Sequence, residues 1–332
     1  MGKAHIDLNN KTILVTGSPG FIGAFLVLRL LKDLQGGTVI SFDSMNDYYD
    51  PALKEYRLSL IERAAKESPV RHVFLRGSIA DKALVDRVFS EYKPSVVVNL
   101  AAQAGVRYSI GHPDAYIESN LVGFFNILEA CRHHPVEHLI YASSSSVYGG
   151  NKKVPFSTDD KTDTPVSLYA ATKKADELLA HSYSKLYDIP TTGLRFFTVY
   201  GPAGRPDMFY YSATRDLAAG KTIRIFNYGN CKRDFTYIDD ITEGVVRVMQ
   251  GAPENLLDFV SVLQDALVRS GILPADYDFA AHRVPVGMQP GDVPVTFADG
   301  SGLETDYGFR PSIGIREGLR RFAEWYKEYY KA

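Results

Sequence analysis

Tyr169 and Lys173 are four residues apart in the segment SLYAATK, downstream of a serine run at residues 143–146. On a helix this spacing places both side chains on one face. A lysine ammonium beside a phenol favours the deprotonated phenol, so the tyrosine can act as a base near neutral pH. The spacing alone is a weak signal, because such pairs usually form only a solvated face. Neighbouring motifs decide between the two interpretations.

A glycine-rich turn near the N-terminus is the second chemical motif. Gly17, Gly20 and Gly23 follow the apolar run at residues 12–16 and open a helical pattern at residues 21–31. Glycines permit a tight turn and close approach of the backbone to a pyrophosphate, while the helix N-terminus supplies amide donors. A structural turn is the alternative, but the order of strand, turn and helix favours dinucleotide binding.

Asp43 follows the second apolar run, at residues 38–42, about 20 residues after the glycine turn. A carboxylate at this position can bind the adenosine ribose hydroxyls and would repel a 2′-phosphate. The motif therefore favours NAD over NADP. The alternative is an aspartate that only ends a strand in a turn.

Strands and helices that would position these residues alternate along the chain. This alternation is typical of a doubly wound parallel α/β sheet, a Rossmann-type fold. The sequence predicts strands at 12–16, 38–42, 70–75, 95–100, 138–142 and 191–197, and helices at 21–31, 53–65, 83–92, 115–132 and 168–187.

The composition of the sequence changes after residue 197, where loop-like segments and a tail rich in proline and glycine begin. We expect an NAD-binding Rossmann domain at 1–197 and a smaller substrate-binding lobe at 198–233 and 251–332. Residues 234–250 are predicted to return to the sheet domain as a strand followed by a helix.

The composition is that of an ordinary globular protein, with 45% hydrophobic and 23% charged residues among 332 and a formal charge of −2. This charge gives no bulk attraction to nucleic acid or to an anionic membrane. The chain begins without an apolar signal core and has no apolar run of membrane-spanning length. We expect a cytoplasmic protein whose partners are small molecules or a second copy.

Metal and disulfide chemistry has little support. Cys131 and Cys231 are the only cysteines and lack the C-x-x-C spacing, so buried free thiols are expected. The segment HPVEH at residues 134–138 fits the H-x-x-E-H pattern of a zinc peptidase class, which requires both histidines on one helix. Pro135 and the apolar run after this segment instead indicate a helix that ends and a strand that begins.

With the glycine turn, the serine run and the Tyr-Lys pair in this order, the chain resembles the extended short-chain dehydrogenase/reductase superfamily. Longer segments resemble nucleotide-sugar 4-epimerases, and specifically UDP-glucuronate 4-epimerases. These segments are LAAQAGVRYS at 100–109, YASSSSVYG at 141–149, RFFTVYGP at 195–202 and KRDFTYIDD at 232–240. The resemblance covers nearly the whole chain.

This resemblance implies a reaction in which Tyr169 and Lys173 take part. Tyr169 would remove the proton of the C4 hydroxyl while hydride passes from C4 to NAD, which gives a 4-keto sugar. Lys173 would favour the phenolate and hold the nicotinamide ribose, and Ser144 would hydrogen-bond the reacting oxygen. Return of the hydride to the other face of the turned sugar would invert C4 with no net redox.

The resemblance also implies the cofactor contacts. Ser78 stands where the superfamily often carries an aspartate near the adenine, which we expect to weaken cofactor recognition modestly, although Ile79 can still pack on the ring. The expected NAD-binding residues are Gly17, Gly20, Phe21, Ile22, Gly23, Asp43, Ile79, Leu100, Ala101, Ala102, Tyr169 and Lys173.

A uronic acid substrate adds a hazard, because its 4-keto form loses carbon dioxide when the breaking bond aligns with the carbonyl π system. By their motif positions, Thr198, Ser145 and Ser146 would hold the carboxylate out of that alignment. Arg205, in a loop, would approach the substrate. Arg233 would pair with the diphosphate, and Asp292 would bind the uridine ribose. With these, the expected substrate-binding residues are Ser144, Ser145, Ser146, Thr198, Arg205, Arg233 and Asp292.

Three rivals remain open. A UDP-glucuronate decarboxylase would begin with the same oxidation and then release carbon dioxide, and a UDP-glucose 4-epimerase would use a neutral sugar. A non-catalytic NAD-binding regulator would tend to lose the tyrosine or the lysine, both of which are present. A 4,6-dehydratase is a poor match, because it commonly carries an Asp-Glu pair where this chain has Ser145 and Ser146.

We therefore expect a UDP-glucuronate 4-epimerase that interconverts UDP-glucuronate and UDP-galacturonate with tightly bound NAD. A homodimer through the helices at 115–132 and 168–187 is expected, as is common in the superfamily. The sequence departs from the family between Glu254 and Asn255, where a strand reading roughly Y-x-I-x-N-I-G-N is missing. We expect this departure to affect both the stability of the C-terminal lobe and its affinity for the substrate.

Overall fold

A computed structural model of the chain describes residues 6–226, 233–250, 272, 283–286, 309, 313 and 315–330. The described residues form two compact units. The first unit takes those within 1–151, 161–196 and 242–252, and the second takes those within 152–160, 197–241 and 253–332. The segment around Glu254 and Asn255, where the sequence lacks the Y-x-I-x-N-I-G-N pattern, lies outside the described residues, as do Asp292 and Cys231.

A six-stranded parallel sheet forms the centre of the first unit, with the strand order β3-β2-β1-β4-β5-β6. The predicted Rossmann-type sheet is confirmed. Because the order reverses at β1, a crevice lies at the carboxyl ends of β1 and its neighbours. The strands are β1 (Thr12–Thr16), β2 (Thr38–Asp43), β3 (Arg71–Arg76), β4 (Val96–Asn99), β5 (His138–Ser144) and β6 (Thr191–Phe196).

Helices connect these strands. The helices are α1 (Phe21–Asp33), α2 (Pro51–Ala65), α3 (Lys82–Tyr92), α4 (Tyr108–Gly111), α5 (Pro113–Tyr116), a π-helical turn (Ile117–Val122), α6 (Gly123–His133) and α7 (Leu168–Tyr187). The bounds of α1, α2, α3 and α7 agree with the predicted ones within two residues at either end. The stretch predicted as one helix at 115–132 is instead divided into α5, the π-helical turn and α6.

Burial explains why the strands read as continuous apolar runs. Every residue of β4 is buried, as expected for a parallel strand whose two faces are both covered. A large core cluster joins Leu14 and Val97 of the sheet to Phe89 of α3 and Phe124 of α6, all of them fully or almost fully buried. The core thus holds the carboxyl ends of the strands in a fixed arrangement.

The H-x-x-E-H segment connects α6, which ends at His133, to β5, which begins at His138. Its two histidines therefore do not share a helix. Within the described residues, no group of three or more His, Cys, Asp or Glu side chains is placed to hold a metal ion. Of the two cysteines, Cys131 is buried and free.

In the second unit, β7 (Thr198–Tyr200) pairs in parallel with β9 (Phe235–Tyr237). The strand and the helix predicted at 234–250 both form, and the strand lies in the second unit rather than in the six-stranded sheet. The rings of Phe235 and Tyr237 pack against Tyr200 of β7 and support this pairing. The helix that follows, α9 (Ile238–Gln250), belongs to the first unit only from Thr242 onward.

An aromatic cluster packs the remaining helices of the second unit. The ring of Tyr210, in α8 (Phe209–Ala218), meets Phe322 of α10 (Ile315–Tyr330) edge to face at 4.8 Å. A second parallel pair joins β8 (Ile223–Phe226) to β10 (Arg283–Val286). Among the described helices, none combines the length and the apolar character needed to cross a bilayer.

Candidate active site

The helix that carries the Tyr-Lys pair begins where the sequence predicted it. Ser167 caps α7, because its Oγ accepts a hydrogen bond from the Ala170 amide at 3.1 Å. Tyr169 lies half-buried in the first turn, and the buried ring of Tyr116 packs edge-on against its ring at 6.0 Å between centroids. The cap and the neighbouring ring together fix the position of the phenol.

Lys173 is 3% exposed, and its ammonium is anchored twice. Nζ donates to the Ala142 carbonyl at 2.8 Å and to Asp176 Oδ2 at 3.1 Å. An ammonium carries three N–H donors, so one is left for another acceptor. Because Ala142 lies in β5 directly before the serine run, this anchor holds the lysine at the carboxyl end of the sheet.

The serine run divides between structural and available hydroxyls. Ser144 Oγ accepts a hydrogen bond from the Ser146 amide at 3.1 Å, and so caps a short 3₁₀ turn at Ser145–Tyr148. The Ser144 hydroxyl can still donate its own proton to a substrate oxygen. In contrast, Ser143 Oγ donates to Glu177 Oε1 at 2.7 Å and serves the fold.

Glu177 joins α7 to β6 through Arg195, a contact that was not predicted from the sequence. Arg195 Nε and Nη2 donate to the two carboxylate oxygens at 2.8 and 3.0 Å. Burial opposes ionisation of this carboxyl, but the hydrogen bonds from Arg195 and Ser143 outweigh it, so the pKa of Glu177 lies below its ordinary value. Arg195 Nη1 also donates to the Tyr148 hydroxyl at 3.1 Å.

Asn120 was also missed by sequence analysis, because it sits in a predicted continuous helix. The π-helical turn around it is typical of functional sites. Its Nδ2 donates to the Gln103 carbonyl at 3.1 Å and to Thr172 Oγ1 at 3.0 Å, and its Oδ1 accepts from the Gln103 amide at 2.8 Å. A buried asparagine thus ties the loop after β4 to α7.

The glycine turn has the geometry that dinucleotide binding requires. Gly17 adopts a φ of +70°, and a Cβ added there would lie 2.7 Å from the Ala101 amide nitrogen. An added Cβ at Gly23 would lie 2.4 Å from the Gly17 carbonyl oxygen, so only glycine allows this contact between turn and helix. No side chain caps the N-terminus of α1 at Gly20, which leaves its amides for an anionic ligand.

Asp43 ends β2, beside the glycine turn. Its Oδ1 accepts from the Met45 amide at 2.6 Å, and Lys54 Nζ lies 3.9 Å away. Burial raises the pKa of this carboxyl, although Lys54 opposes the rise. A carboxylate at this position fits the adenosine ribose of NAD.

The remaining predicted cofactor residues lie in or next to the same segments. Ile79 is buried, and the Ala101 amide donates to Thr16 Oγ1 at 3.1 Å. The structure therefore brings the carboxyl ends of β2, β1 and β4 together, as the sequence predicted, and its donors and turn suit NAD. Phe21, Ile22, Leu100 and Ala102 are the other predicted members in these segments.

The predicted substrate residues are divided between the units. Ser144, Ser145 and Ser146 lie in the first unit, and three others lie in the second. In the second unit, the Thr198 amide donates to the Asp234 carbonyl at 3.0 Å. Arg205 pairs with Asp207 through hydrogen bonds of 3.0 and 2.6 Å, and Arg233 is half-buried, whereas Asp292 lies outside the described residues. Their substrate roles stay predictions.

Comparison with known proteins gives a consistent result. The model of the NAD dependent epimerase/dehydratase family matches residues 13–256. Protein CapI of Staphylococcus aureus is 45% identical, with 96% of this chain and 99% of that protein aligned. A probable UDP-glucuronate 4-epimerase of Rhizobium meliloti is 41% identical over 96% of this chain and 97% of its own length.

Solved structures are also similar. UDP-glucuronic acid 4-epimerase from Bacillus cereus, in complex with UDP-glucuronic acid and NAD, superposes with a TM-score of 0.85 at 31% identity. The match covers 96% of this chain and 100% of that one. The predicted family resemblance, the epimerase class and NAD as cofactor are confirmed. This chain belongs to the NAD-dependent epimerase/dehydratase family.

Proposed function

We propose that this protein is a UDP-glucuronate 4-epimerase, which interconverts UDP-glucuronate and UDP-galacturonate. The observation that carries the proposal is the pair of Tyr169 and Lys173 on α7, with Lys173 anchored to Ala142 in β5, the strand that ends at Ser144. The names of the Rhizobium and Bacillus proteins support UDP-glucuronate as the substrate.

The side chains of this chain can perform the proton transfers. The phenolate of Tyr169 takes the proton of the C4 hydroxyl and returns it after inversion. Lys173, held by Ala142 and Asp176, lies one turn after Tyr169 on α7 and brings a positive charge to this end of the site. Ser144 donates a hydrogen bond to the same oxygen while its charge changes. A bound NAD would supply the acceptor and the donor for the C4 hydride.

Binding of the cofactor is assigned to the crevice described above. The amides at the start of α1 would bind the pyrophosphate, with Gly17 allowing the close approach. Asp43 would accept hydrogen bonds from the adenosine ribose, and the third N–H of Lys173 would serve the nicotinamide ribose.

Retention of the sugar carboxylate distinguishes this reaction from decarboxylation. We assign this role to Thr198, Ser145 and Ser146, which offer neutral hydrogen bonds rather than a cation that would anchor the carboxylate in one fixed alignment. Arg205 would bind the substrate as a clamp. To do so, it must break its hydrogen bonds with Asp207 and form new ones with the substrate. Arg233 and Asp292 are assigned to the diphosphate and the uridine ribose.

A homodimer belongs to the proposal. Apolar side chains on the helical stretch at 117–133 and on α7 are exposed, including Phe125 at 41% and Leu178 at 58%. Burial of such side chains against a second copy would remove apolar surface from water. The cytoplasmic location stays a prediction.

The proposed activity is tested by incubating the NAD-loaded protein with UDP-glucuronate and separating the nucleotide sugars by anion exchange. We expect UDP-galacturonate without UDP-pentose. A UDP-pentose product would overturn the proposal in favour of a decarboxylase. Turnover of UDP-glucose without turnover of the acid would move the activity to a neutral-sugar 4-epimerase.

A further inference from the structure

Asp176 lies one turn after Lys173 in α7, and no sequence motif pointed to it. Its side chain is 1% exposed. One oxygen, Oδ2, accepts the 3.1 Å hydrogen bond from Lys173, and the Ala142 carbonyl accepts the 2.8 Å bond from the same ammonium. Asp176 and Ala142 thus hold the lysine from two elements, α7 and β5.

The second oxygen of Asp176 is unusual. Oδ1 is buried and has no hydrogen-bond partner within the part of the chain that the structure describes. A buried carboxylate oxygen without a partner is unfavourable for folding, since its interaction with water has been lost. This carboxylate is therefore poorly explained as a structural contact, and its single ion pair with Lys173 is the interaction that stabilises it.

The charged and titratable groups around Asp176 come from three elements. Lys173 and Glu177 lie on α7, Tyr141 lies on β5, and Arg195 lies on β6. Arg195 is engaged by both oxygens of Glu177, so Asp176 relies on Lys173 for its opposite charge. The pKa of Tyr141 is raised by its burial and then by Glu177 and Asp176, so its hydroxyl stays neutral beside them.

We propose that Asp176 is a positioning residue for the active-site lysine. With Ala142, its carboxylate occupies two of the three Lys173 donors and directs the third to the reacting end of the site. The proposal deepens the function above and rests on it in one respect, namely that Lys173 serves the reaction of Tyr169.

A pH dependence follows from this geometry. Burial raises the pKa of Asp176 to about 6, although Lys173 opposes the rise. Above that pH the carboxylate is ionised and pairs with the ammonium. Below it the carboxyl is neutral, and Lys173 loses its opposite charge while it remains buried. We therefore expect kcat, measured as a function of pH, to show a single protonation with a midpoint near pH 6.

Three variants of the NAD-loaded protein separate charge from position. Asp176→Asn keeps an oxygen acceptor and removes the charge, whereas Asp176→Ala removes both. Asp86→Asn is the matched control, because Asp86 pairs with Lys82 at 2.7 Å on the exposed surface of α3. The measurements are kcat and KM for the nucleotide sugar as a function of pH, and the NAD retained after gel filtration.

We expect Asp176→Ala to lower kcat about 30-fold with KM changed less than about threefold. Asp176→Asn should lower kcat by about fivefold and lose the step near pH 6, while the control keeps both. Wild-type kcat and an unchanged pH profile in Asp176→Asn would overturn the proposal, even if Asp176→Ala failed to fold.

A second measurement needs no substrate and so separates this proposal from the proposed function. In the NAD-loaded protein, the carboxyl resonance of isotope-labelled aspartate is assigned to Asp176 by its loss in Asp176→Asn. We expect a midpoint near pH 6 that rises in Lys173→Met, because the lysine charge favours the ionised carboxyl. A midpoint that Lys173→Met leaves unchanged would overturn the positioning role, whatever the substrate.

Discussion

Two ion pairs lie side by side on α7 and differ in what surrounds them. Glu177 receives hydrogen bonds at both oxygens from Arg195 and a further one from Ser143. Asp176, its neighbour in the chain, has one satisfied oxygen, which faces Lys173. The Glu177 pair is partly buried and fully hydrogen-bonded, as expected of a contact that stabilises the fold. The Asp176 pair is buried and incompletely hydrogen-bonded, which fits the positioning role proposed for it.

The largest effect should come from the reacting phenol itself. Tyr169→Phe removes the base but keeps the ring, so we expect kcat to fall about a thousandfold while bound NAD is retained. Steady-state turnover and gel filtration measure the two properties. Tyr92→Phe, at the end of α3, is the matched control. A Tyr169→Phe variant within about tenfold of wild-type kcat would remove Tyr169 as the base.

Breaking the saturated pair should affect stability instead. Arg195→Met leaves the partly buried carboxylate of Glu177 without its main partner, so we expect a loss of about 2 kcal/mol in the free energy of unfolding. Urea denaturation measures this loss. Lys82→Met, which breaks the exposed pair with Asp86, should change it by less than about 1 kcal/mol. Equal losses of unfolding free energy in the two variants would show that the Glu177 pair stabilises the fold no more than an exposed pair does.

Loss of the uncharged hydrogen bonds of Asn120, one of which reaches α7, should have an effect on stability comparable to that of the Glu177 pair and larger than that of the exposed pair. Asn120→Ala leaves the Gln103 amide and carbonyl without their partner, so we expect a loss of about 2 kcal/mol in unfolding free energy. The loop after β4 borders the proposed cofactor crevice, and NAD retention should therefore fall as well. A destabilised variant that binds NAD like the wild type would separate Asn120 from the site.

The smallest effect concerns acid stability. The pKa of Glu177 lies below its ordinary value of 4.5, so its contribution to stability is present above that pH and is lost as the pH falls through the lower, folded-state value. Relative to Glu177→Gln, the wild type should therefore lose stability in acid. Urea midpoints of the two proteins across this range measure the difference. A constant difference between them would show that Glu177 is not stabilised as an anion.

Local sequence signals predicted much of the fold. The bounds of α7 agree with the predicted 168–187, because Ser167 supplies a side-chain cap and the apolar spacing is regular. The pairing of β9 with β7 was beyond such signals, since periodicity predicts a strand but does not name its neighbour. The π-helical turn at Asn120 likewise has no distinct sequence pattern.

The site was predicted in part for a similar reason. Helical spacing identified Tyr169 and Lys173, and the glycine turn identified the cofactor crevice. Asp176 was missed because an aspartate in a helix is usually solvated, and only the tertiary structure shows that it is buried against Lys173. The substrate roles of Thr198, Arg205 and Asp292 stay predictions.

The central claim is that Tyr169 and its partners allow hydride to leave C4 and return to C4. The most direct test supplies UDP-glucuronate labelled with deuterium at C4 and follows the label in the product by NMR. We predict UDP-galacturonate that retains the deuterium at C4. Loss of the label to solvent would contradict the claim. Recovery of the deuterium in a UDP-pentose would keep the hydride transfer but overturn the proposed epimerase activity.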